Sequence, residues 1–470
     1  MPSADLNASG GQWAGSDRAM PSFLVQTLGC KLNQLESEAI TDAFLKSGFS
    51  FKNETFPSVI VINTCTVTSK ADQKARRVIR KALRDYPDSL VLVTGCYAQL
   101  NREELCKLET DGGNRLFVFN GSDKESILNL PSFLRDKNDI HGALKNLLEN
   151  ETGNDERKTA SELRAFQFSP EKFSDHTRSF LKIQDGCDKH CTYCRIRLAR
   201  GPSISLDADE VLSRLKMLEK NHAEAVITGV NISQYCDKVR DVNLASLLEH
   251  LLCETEKIAL RLSSLAPDSI DENLAKLLSP KKIRPHFHLS IQSASKKILQ
   301  KMGRDYDAQT IEKAVSLLRS AKDDPFLACD IITGFPDETN ADFEETFELC
   351  KKLDFAWIHV FPYSKRPGTP AWSFPETVHE KEKQERVQAF TNLARQGRAD
   401  YVRRWLNREV EVLVEKGTEK SACRGISENY LKLLVRYKGE KAPVTGTVLR
   451  CKLLEKSHAE GDYDALAVCT

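Results

Sequence analysis

Three cysteines stand close together in one short segment, in the order Cys187-Asp188-Lys189-His190-Cys191-Thr192-Tyr193-Cys194. Their C-x3-C-x2-C spacing lets three thiolates on one tight loop hold three irons of a [4Fe–4S] cluster, which leaves the fourth iron open to a small molecule. A zinc site completed by His190 is the alternative, although zinc sites more often carry four ligands in paired spacing. The segment therefore predicts a cluster that binds a ligand.

Three further cysteines are far apart in sequence but share one kind of position. Cys30, Cys65 and Cys96 each stand just after an apolar segment that reads as a strand. The carboxyl ends of parallel strands lie along one edge of a sheet, so we expect these thiols to converge on a second cluster. Three ordinary buried core cysteines are the alternative.

The composition fits a soluble globular protein of about three domains. Of 470 residues, 40% are hydrophobic and 29% charged, and 68 basic residues nearly balance 67 acidic ones. No apolar run approaches the roughly 20 residues that span a bilayer, and residues 1–20 lack the features of a signal peptide. We therefore expect a cytoplasmic protein without a membrane partner, in which clustered cysteines bind metal or do chemistry.

The order of elements predicts an α/β protein. After a disordered tail (1–22), strands alternate with helices in residues 23–130, which predicts a parallel sheet covered by helices. A polar linker region (131–172) leads to six strand–helix units in residues 173–402. These predict a partial TIM-like (β/α)6 barrel with its active residues at the carboxyl ends of the strands. Residues 403–470 read as a small antiparallel β-barrel.

The 187–194 loop follows the first strand of the predicted barrel, and in this setting it resembles the loop of radical S-adenosylmethionine (SAM) enzymes. The resemblance implies that Cys187, Cys191 and Cys194 bind the cluster and that its open iron chelates SAM, which is then cleaved to a radical. By the same resemblance six residues at this end of the barrel are expected to contact SAM: Tyr193, Thr228, Gly229, Arg261, Ser263 and Gln292. Packing and ordinary turns are the alternative explanation for each.

The whole layout resembles the radical-SAM methylthiotransferase family. That family has an N-terminal domain with three cysteines for a second [4Fe–4S] cluster, a radical-SAM core and a C-terminal TRAM domain that binds RNA. The resemblance implies two clusters, SAM as both methyl donor and radical source, and a reducing partner protein of the flavodoxin or ferredoxin type. The product is a methylthio group on an unactivated C–H carbon.

Three segments resemble the branch of this family that acts on N6-threonylcarbamoyladenosine at position 37 of tRNA, beside the anticodon. They are LGCKLNQLESE (28–38), HVFPYS (359–364) and RPGTPA (366–371). Two features depart from the family pattern: the segment that follows Cys194, and the alanine at position 294. Isopentenyladenosine in tRNA and an aspartate of a ribosomal protein remain alternative substrates, and a non-enzymatic zinc protein that binds RNA is the competing class.

One predicted helix suggests contact with RNA. In residues 69–86, five basic side chains recur at helical spacing: Lys70, Lys74, Arg77, Lys81 and Arg84. Residues 70–84 carry a net charge of +6. Such a stripe suits tRNA phosphates, and a solvated helix face is the alternative.

The threonylcarbamoyl group carries a carboxylate, so its pocket is expected to offer a cation. Lys31 lies beside Cys30, and Arg197 and Arg200 lie just past Cys194. These three residues are the sequence-based candidates for that contact.

Overall fold

The computed structural model describes residues 21–51, 56–110, 113–120, 124–135, 165–170, 173, 177–419, 422–437, 443–455 and 462–469. Nearly all of the predicted tail (1–22) and most of the predicted linker (131–172) lie outside these residues. The chain divides into two compact units, residues 1–174 and residues 175–470. No helix in the described part of the chain combines the length and the apolar character needed to cross a membrane.

The first unit is a five-stranded sheet with helices. Its strands are β1 (Ser22–Thr27), β2 (Ser50–Phe51), β3 (Val59–Thr64), β4 (Leu90–Gly95) and β5 (Leu116–Val118). Its described helices are α1 (Lys31–Lys46), α2 (Ser69–Asp85), α3 (Cys96–Leu100), α4 (Arg102–Cys106) and α5 (Ser126–Arg135).

The sheet of this unit is parallel throughout, in the order β2-β1-β3-β4-β5. Strands β3 and β4 are completely buried because apolar clusters cover both faces of the sheet. Near-continuous apolar runs are typical of such doubly covered strands. The predicted parallel α/β arrangement is confirmed.

The second unit begins with a six-stranded half-open barrel. Its six main strands are β6 (Ser179–Lys182), β9 (Glu224–Thr228), β12 (Ala259–Leu262), β13 (His286–Gln292), β14 (Phe326–Thr333) and β15 (Trp357–Pro362). Short strands lie between them: β7 (Gln184–Asp185), β8 (Ile204–Ser205), β10 (Cys236–Asp237) and β11 (Val242–Asn243).

The helices of the second unit lie between and after these strands. They are α6 (Ile196–Arg200), α7 (Ala208–Glu219), α8 (Leu244–Glu254), α9 (Glu272–Leu278), α10 (Lys296–Met302), α11 (Ala308–Ala321), α12 (Asn340–Lys352) and α13 (Glu380–Trp405).

The six main strands form two parallel sheets, β6-β9-β12 and β13-β14-β15. Two isolated backbone bridges join the sheets, one between Leu260 and Ile283 and one between Leu265 and Leu289. Strands β6 and β15 do not pair with each other, so the barrel stays open on one side, as the sequence predicts. The carboxyl ends of all six strands lie at one end of the barrel, where this fold keeps its chemistry.

The C-terminal strands close into a second, smaller barrel in the order β16-β17-β18-β20-β19. They are β16 (Glu409–Glu419), β17 (Ala422–Ser427), β18 (Lys432–Arg436), β19 (Val448–Leu454) and β20 (Ala465–Cys469). Four pairings are antiparallel, but β18 and β20 run parallel, which the predicted antiparallel barrel did not include. The reason is geometric, because a closed ring with an odd number of strands cannot alternate in direction throughout.

The small barrel packs beneath the amino ends of the large-barrel strands. Phe326, the first residue of β14, shares a core with Trp405 and with the inner strands of the small barrel. Tyr430, in the β17–β18 turn, inserts its ring 4.0 Å from the His286 ring and 5.2 Å from the Arg261 guanidinium. Tyr430 thus fills the floor of the large barrel, opposite the carboxyl ends of the strands.

Candidate functional site

The 187–194 loop is held in place from two directions. The backbone N–H of Thr192 donates to the Met302 carbonyl at 3.0 Å, and its hydroxyl donates to the Lys301 carbonyl at 2.8 Å. The N–H of Ala371 donates to the Thr192 carbonyl at 2.8 Å. One residue between two of the cysteines therefore fixes the loop to the end of α10 and to the segment after β15.

Two glycines let other backbone segments approach this loop. Gly186 has φ +68°, and a Cβ there would lie 1.8 Å from the Pro202 carbonyl oxygen. Gly303 has φ +71°, and a Cβ there would lie 2.9 Å from the His190 carbonyl oxygen. Since the left-handed backbone and the close contact both favour glycine, the loop geometry depends on these two positions.

The three thiols of the loop form no disulfide and are partly exposed. Burial raises the pKa of Cys194 to about 12 and also raises the pKa of Cys191. The Cys194 sulfur accepts one backbone N–H, from Ile196 at 3.4 Å. The donor set is therefore three thiols on one loop whose ionisation needs a cationic partner.

One ring nitrogen of His190 is already engaged. Its exposed imidazole Nε2 lies 3.1 Å from Nη1 of Arg197, and because arginine only donates, that lone pair is already in use. Within the described ranges, no group of three His, Cys, Asp or Glu side chains is arranged to hold a single metal ion. A four-iron cluster asks for a looser arrangement, since each thiolate binds a different iron. The loop thus fits a cluster better than zinc.

Most of the predicted SAM contacts lie at the carboxyl ends of the strands. Thr228, Ser263 and Gln292 are buried there, and Gln292 adopts φ +68°, an uncommon backbone conformation for a residue with a side chain. A Cβ on Gly229 would lie 2.8 Å from Gln184 Oε1. These four residues share the end of the barrel that carries the cysteine loop.

Tyr193 projects from the loop toward α10 and the segment that follows it. Its hydroxyl accepts a hydrogen bond from Arg304 Nη2 at 3.0 Å, and its ring meets Phe335 edge to face at 6.5 Å. Burial raises the pKa of Tyr193 well above its ordinary value. Arg304, which no sequence motif indicates, therefore joins the loop through Tyr193.

The prediction for Arg261 is wrong. Its guanidinium is completely buried and pairs with Glu224, with Nε 2.7 Å from Oε1 and Nη2 3.1 Å from Oε2. Glu224 is the first residue of β9, and Tyr430 lies beside the pair, so the side chain reaches the floor of the barrel. Burial by itself raises the pKa of Glu224, but the neighbouring arginines outweigh it and hold that pKa at about 2.

The candidate cations past Cys194 already have partners. Arg200 is nearly buried and pairs with Asp185 at 3.1 Å, and Lys182 pairs with the same carboxylate. Burial by itself raises the pKa of Asp185, but these cations outweigh it and hold that pKa below its ordinary range. Arg197 donates to the Asp188 carbonyl at 3.0 Å in addition to His190. Both arginines therefore brace the loop.

The other three cysteines follow three adjacent strands of the first unit. Cys30 caps the start of α1 after β1, Cys65 follows β3, and Cys96 begins α3 directly after β4. Cys65 and Cys96 are buried and Cys30 is exposed. A Cβ on Gly29 would lie 2.7 Å from Cys65 Cβ, so the turns that carry Cys30 and Cys65 touch. This edge of the sheet therefore carries one thiol after each of three adjacent strands. Lys31, the third candidate cation, is the first residue of α1 and is half-buried.

Two buried asparagines hold this edge together and were not predicted. Asn33 Nδ2 donates to the Thr64 carbonyl and to Asn63 Oδ1, both at 3.0 Å. Asn63 Nδ2 donates back to the Asn33 carbonyl at 3.0 Å. Asn33 lies within the LGCKLNQLESE segment (28–38) and Asn63 stands two residues before Cys65, but neither position by itself predicts these contacts.

Gln184 has the same role beside the other loop. Its Nε2 donates to the carbonyls of Asp185 and Gly186 and to the Ser203 hydroxyl, at 2.8 to 2.9 Å. Its Oε1 accepts the N–H of Asn231 at 2.9 Å. One amide therefore ties the cysteine loop to the turn that holds Thr228 and Gly229.

The predicted basic stripe lies on the exposed face of α2. Lys70, Lys74, Arg77, Lys81 and Arg84 are all exposed. The one acid in residues 70–84, Asp72, is buried and accepts a hydrogen bond from the Thr66 hydroxyl at 2.8 Å. Asp85 pairs with Arg84 and Lys81, so the uncompensated charge is concentrated toward the start of the helix.

Comparison with known proteins agrees with this arrangement. Residues 181–350 match the model of the radical SAM superfamily, and residues 22–113 match the model described as uncharacterized protein family UPF0004. A relative from Treponema pallidum (strain Nichols), threonylcarbamoyladenosine tRNA methylthiotransferase MtaB, is 38% identical over 94% of this chain and 99% of its own length.

Two other comparisons are more distant. A tRNA-2-methylthio-N(6)-dimethylallyladenosine synthase from Francisella philomiragia is 27% identical over 89% of this chain and 93% of its own length. Among solved structures, the cobalamin-dependent radical SAM enzyme OxsB aligns with a TM-score of 0.45 at 11% identity, over 80% of this chain and 56% of that one. The 38% identity to the Treponema pallidum enzyme, over nearly the full length of both chains, shows that this chain belongs to the MtaB family of radical SAM methylthiotransferases.

Proposed function

We propose that the protein transfers a methylthio group to C2 of N6-threonylcarbamoyladenosine at position 37 of tRNA, using SAM and two [4Fe–4S] clusters. The observation that carries the proposal is the 38% identity to an MtaB enzyme over nearly both full lengths. Support also comes from two separate sets of three cysteines, one on a single loop and one on a sheet edge. We further propose that it acts in the cytoplasm with a flavodoxin- or ferredoxin-type reductant.

In this proposal the two cysteine sets divide the work. Cys187, Cys191 and Cys194 hold the cluster that supplies SAM cleavage, and Cys30, Cys65 and Cys96 hold the cluster that supplies sulfur. The carbon that is modified has no acidic proton, so acid–base chemistry alone cannot open its C–H bond, and the cofactors carry that step.

The protein contributes position. Thr192 and Gly303 fix the cysteine loop against the end of α10, and Gln184 ties it to the Thr228–Gly229 turn. We assign SAM contacts to Tyr193, Thr228, Gly229, Ser263 and Gln292, which share the carboxyl end of the barrel. Preorganised backbone and amide groups of this kind hold reactants in position at no cost during the reaction.

We assign the exposed stripe of α2 to the tRNA backbone. Charge reversal in the triple variant K70E/K74E/R77E should weaken tRNA binding at least tenfold at low salt and flatten its salt dependence, because each lost phosphate contact lowers the salt slope by about 0.7 to 0.9. The matched control is K313E/K351E/K352E, three exposed lysines on α11 and α12. Equal weakening of tRNA binding by both variants would mean that net charge, and not the stripe on α2, explains the effect.

Mass spectrometry of tRNA nucleosides tests the function itself. Purified protein with SAM, reductant and tRNA that carries threonylcarbamoyladenosine should form the 2-methylthio nucleoside. Isopentenyladenosine-bearing tRNA and a ribosomal protein serve as competing substrates in the same assay. A preference for either would move the protein to another branch of the family.

A further inference from the structure

Three polar side chains come together within the second unit but outside the cysteine loop. They are His288 on β13, Asp330 on β14 and His359 on β15. The His288 and His359 rings meet edge to face at 5.2 Å, and His288 Nε2 lies 3.2 Å from Asp330 Oδ1. His288 Nδ1 lies 2.5 Å from the Ser264 hydroxyl. The group therefore joins the three strands of one sheet to the segment after β12.

This group faces the interior of the large barrel. Cys329, the residue before Asp330, is fully buried against Cys350 of the covering helix α12. Because successive strand residues point to opposite faces, Asp330 points away from that helix and into the barrel. The His288 and Asp330 side chains are 17% and 22% exposed, so the interior at this depth is open to solvent.

Asp330 differs from the buried acids around it. Asp185 is paired with Arg200 and Lys182, Glu224 with Arg261 and Arg284, and Glu338 with Arg386; each of these carboxylates has at least one cation. In the part of the chain that the structure describes, the Asp330 carboxylate faces only His288, and the geometry of that contact does not make a hydrogen bond. A carboxylate can accept about four hydrogen bonds, so Asp330 keeps nearly all of its capacity.

We propose that Asp330 binds the substrate adenosine, with its carboxylate accepting hydrogen bonds from N–H or hydroxyl groups of the modified nucleoside, and that the neighbouring His288 ring limits the positions this carboxylate can take. The inference rests on the proposed function and adds the residues that recognise its substrate. A partly enclosed carboxylate without a cation attracts donors and repels anions. The threonyl carboxylate must therefore point away from Asp330, and the ring of His359 forms one wall of the same space.

The test is steady-state methylthiolation of threonylcarbamoyladenosine-bearing tRNA by D330N. The substitution keeps the size of the side chain but removes its charge, and a hydrogen bond to a charged group is worth a factor of about ten to a hundred. We expect KM for tRNA to rise by about that factor, while iron content and SAM cleavage without tRNA stay at the wild-type level. D354N, a change of the same kind at a surface acid that pairs with Arg404 at 3.1 Å, is the control and should behave as wild type.

Unchanged KM and kcat in D330N would overturn the proposal, and so would equal effects of D330N and D354N. If D330N loses iron or unfolds, the same measurement of KM for tRNA is made on H288Q, which changes the neighbour of Asp330. A folded H288Q with normal KM rejects the inference. Failure of the proposed function looks different, because the wild-type protein itself would then leave this tRNA unmodified.

Discussion

The two proposed cysteine sites are built in opposite ways. One takes three thiols from eight consecutive residues, 187–194, and its shape depends on local turns and a few backbone anchors. The other takes one thiol from each of three strand ends spread over residues 30–96, and its shape depends on the whole sheet. A ligand set inside one loop can survive movement of its surroundings, whereas a dispersed set is only as stable as the fold that assembles it.

The largest expected effect comes from the compact site. Cys191→Ala leaves two thiols on the loop, below the set that leaves one iron open for SAM. We expect both 5′-deoxyadenosine formation and methylthiolation to fall below detection, with about four irons lost per chain. Unaltered 5′-deoxyadenosine formation, measured by chromatography, would remove the radical chemistry from this loop.

A substitution in the dispersed site should separate SAM cleavage from methylthiolation. Cys65→Ala removes one proposed ligand from the sheet edge but leaves the 187–194 loop untouched. We expect methylthiolation to disappear while SAM cleavage persists, and about half of the iron to remain. A Cys65→Ala protein that keeps all of its iron and forms product would show that the three strand-end cysteines do not act together.

Glycine substitutions compare how the two sites tolerate strain. A Cβ on Gly95, where φ is +99°, would lie 2.2 Å from the Thr64 carbonyl oxygen, while one on Gly303 would lie 2.9 Å from that of His190. We expect Gly95→Ala to cost about 3 kcal/mol of unfolding free energy and Gly303→Ala about 1 to 2 kcal/mol. Denaturant unfolding of both variants checks the order; the reverse order would contradict the comparison.

The most local effect is expected at Asn33, because only the strand-end site depends on its side chain. Asn33→Ala removes three hydrogen bonds of a buried amide, two donated by Nδ2 and one that Oδ1 accepts from the Cys30 thiol at 3.3 Å. Leaving the partners unsatisfied costs about 1 to 3 kcal/mol. The strand-end site should lose iron faster on dilution, while SAM cleavage stays normal. Gln73→Ala, an exposed amide on α2, is the control, and equal iron loss in both variants would argue against a role for Asn33.

The sequence was sufficient for the architecture because apolar strands alternating with helices allow few topologies. All six strands of the large barrel appear where that alternation predicts them. The pattern also indicates which residues lie near a strand end. It does not indicate where a long side chain reaches, so the sequence places Arg261 at the wrong end of its barrel. Its guanidinium pairs with Glu224, 37 residues away in sequence, at the floor of the barrel.

The bracing residues were missed for a related reason. Asn33 lies in the first turn of α1, and Asn63 and Gln184 lie in strands β3 and β7. In a single sequence they look like ordinary polar residues. Their importance arises from partners that only the fold brings near, such as the Thr64 carbonyl for Asn33. Arg200 was overrated for the same reason. A cation beside a cysteine motif suggests contact with an anionic ligand, but in the fold Arg200 pairs with the buried carboxylate of Asp185.

The placement of Tyr430 makes the two barrels of the second unit inseparable in practice. Its ring covers a buried ion pair and the aromatic floor formed by His286 and Phe326. Removing the C-terminal barrel would expose the apolar core that Phe326 and Trp405 share with it, and would open the Arg261–Glu224 ion pair to water. We therefore expect a truncated chain to misfold, so the role of the small barrel is better tested by surface substitutions on the intact chain.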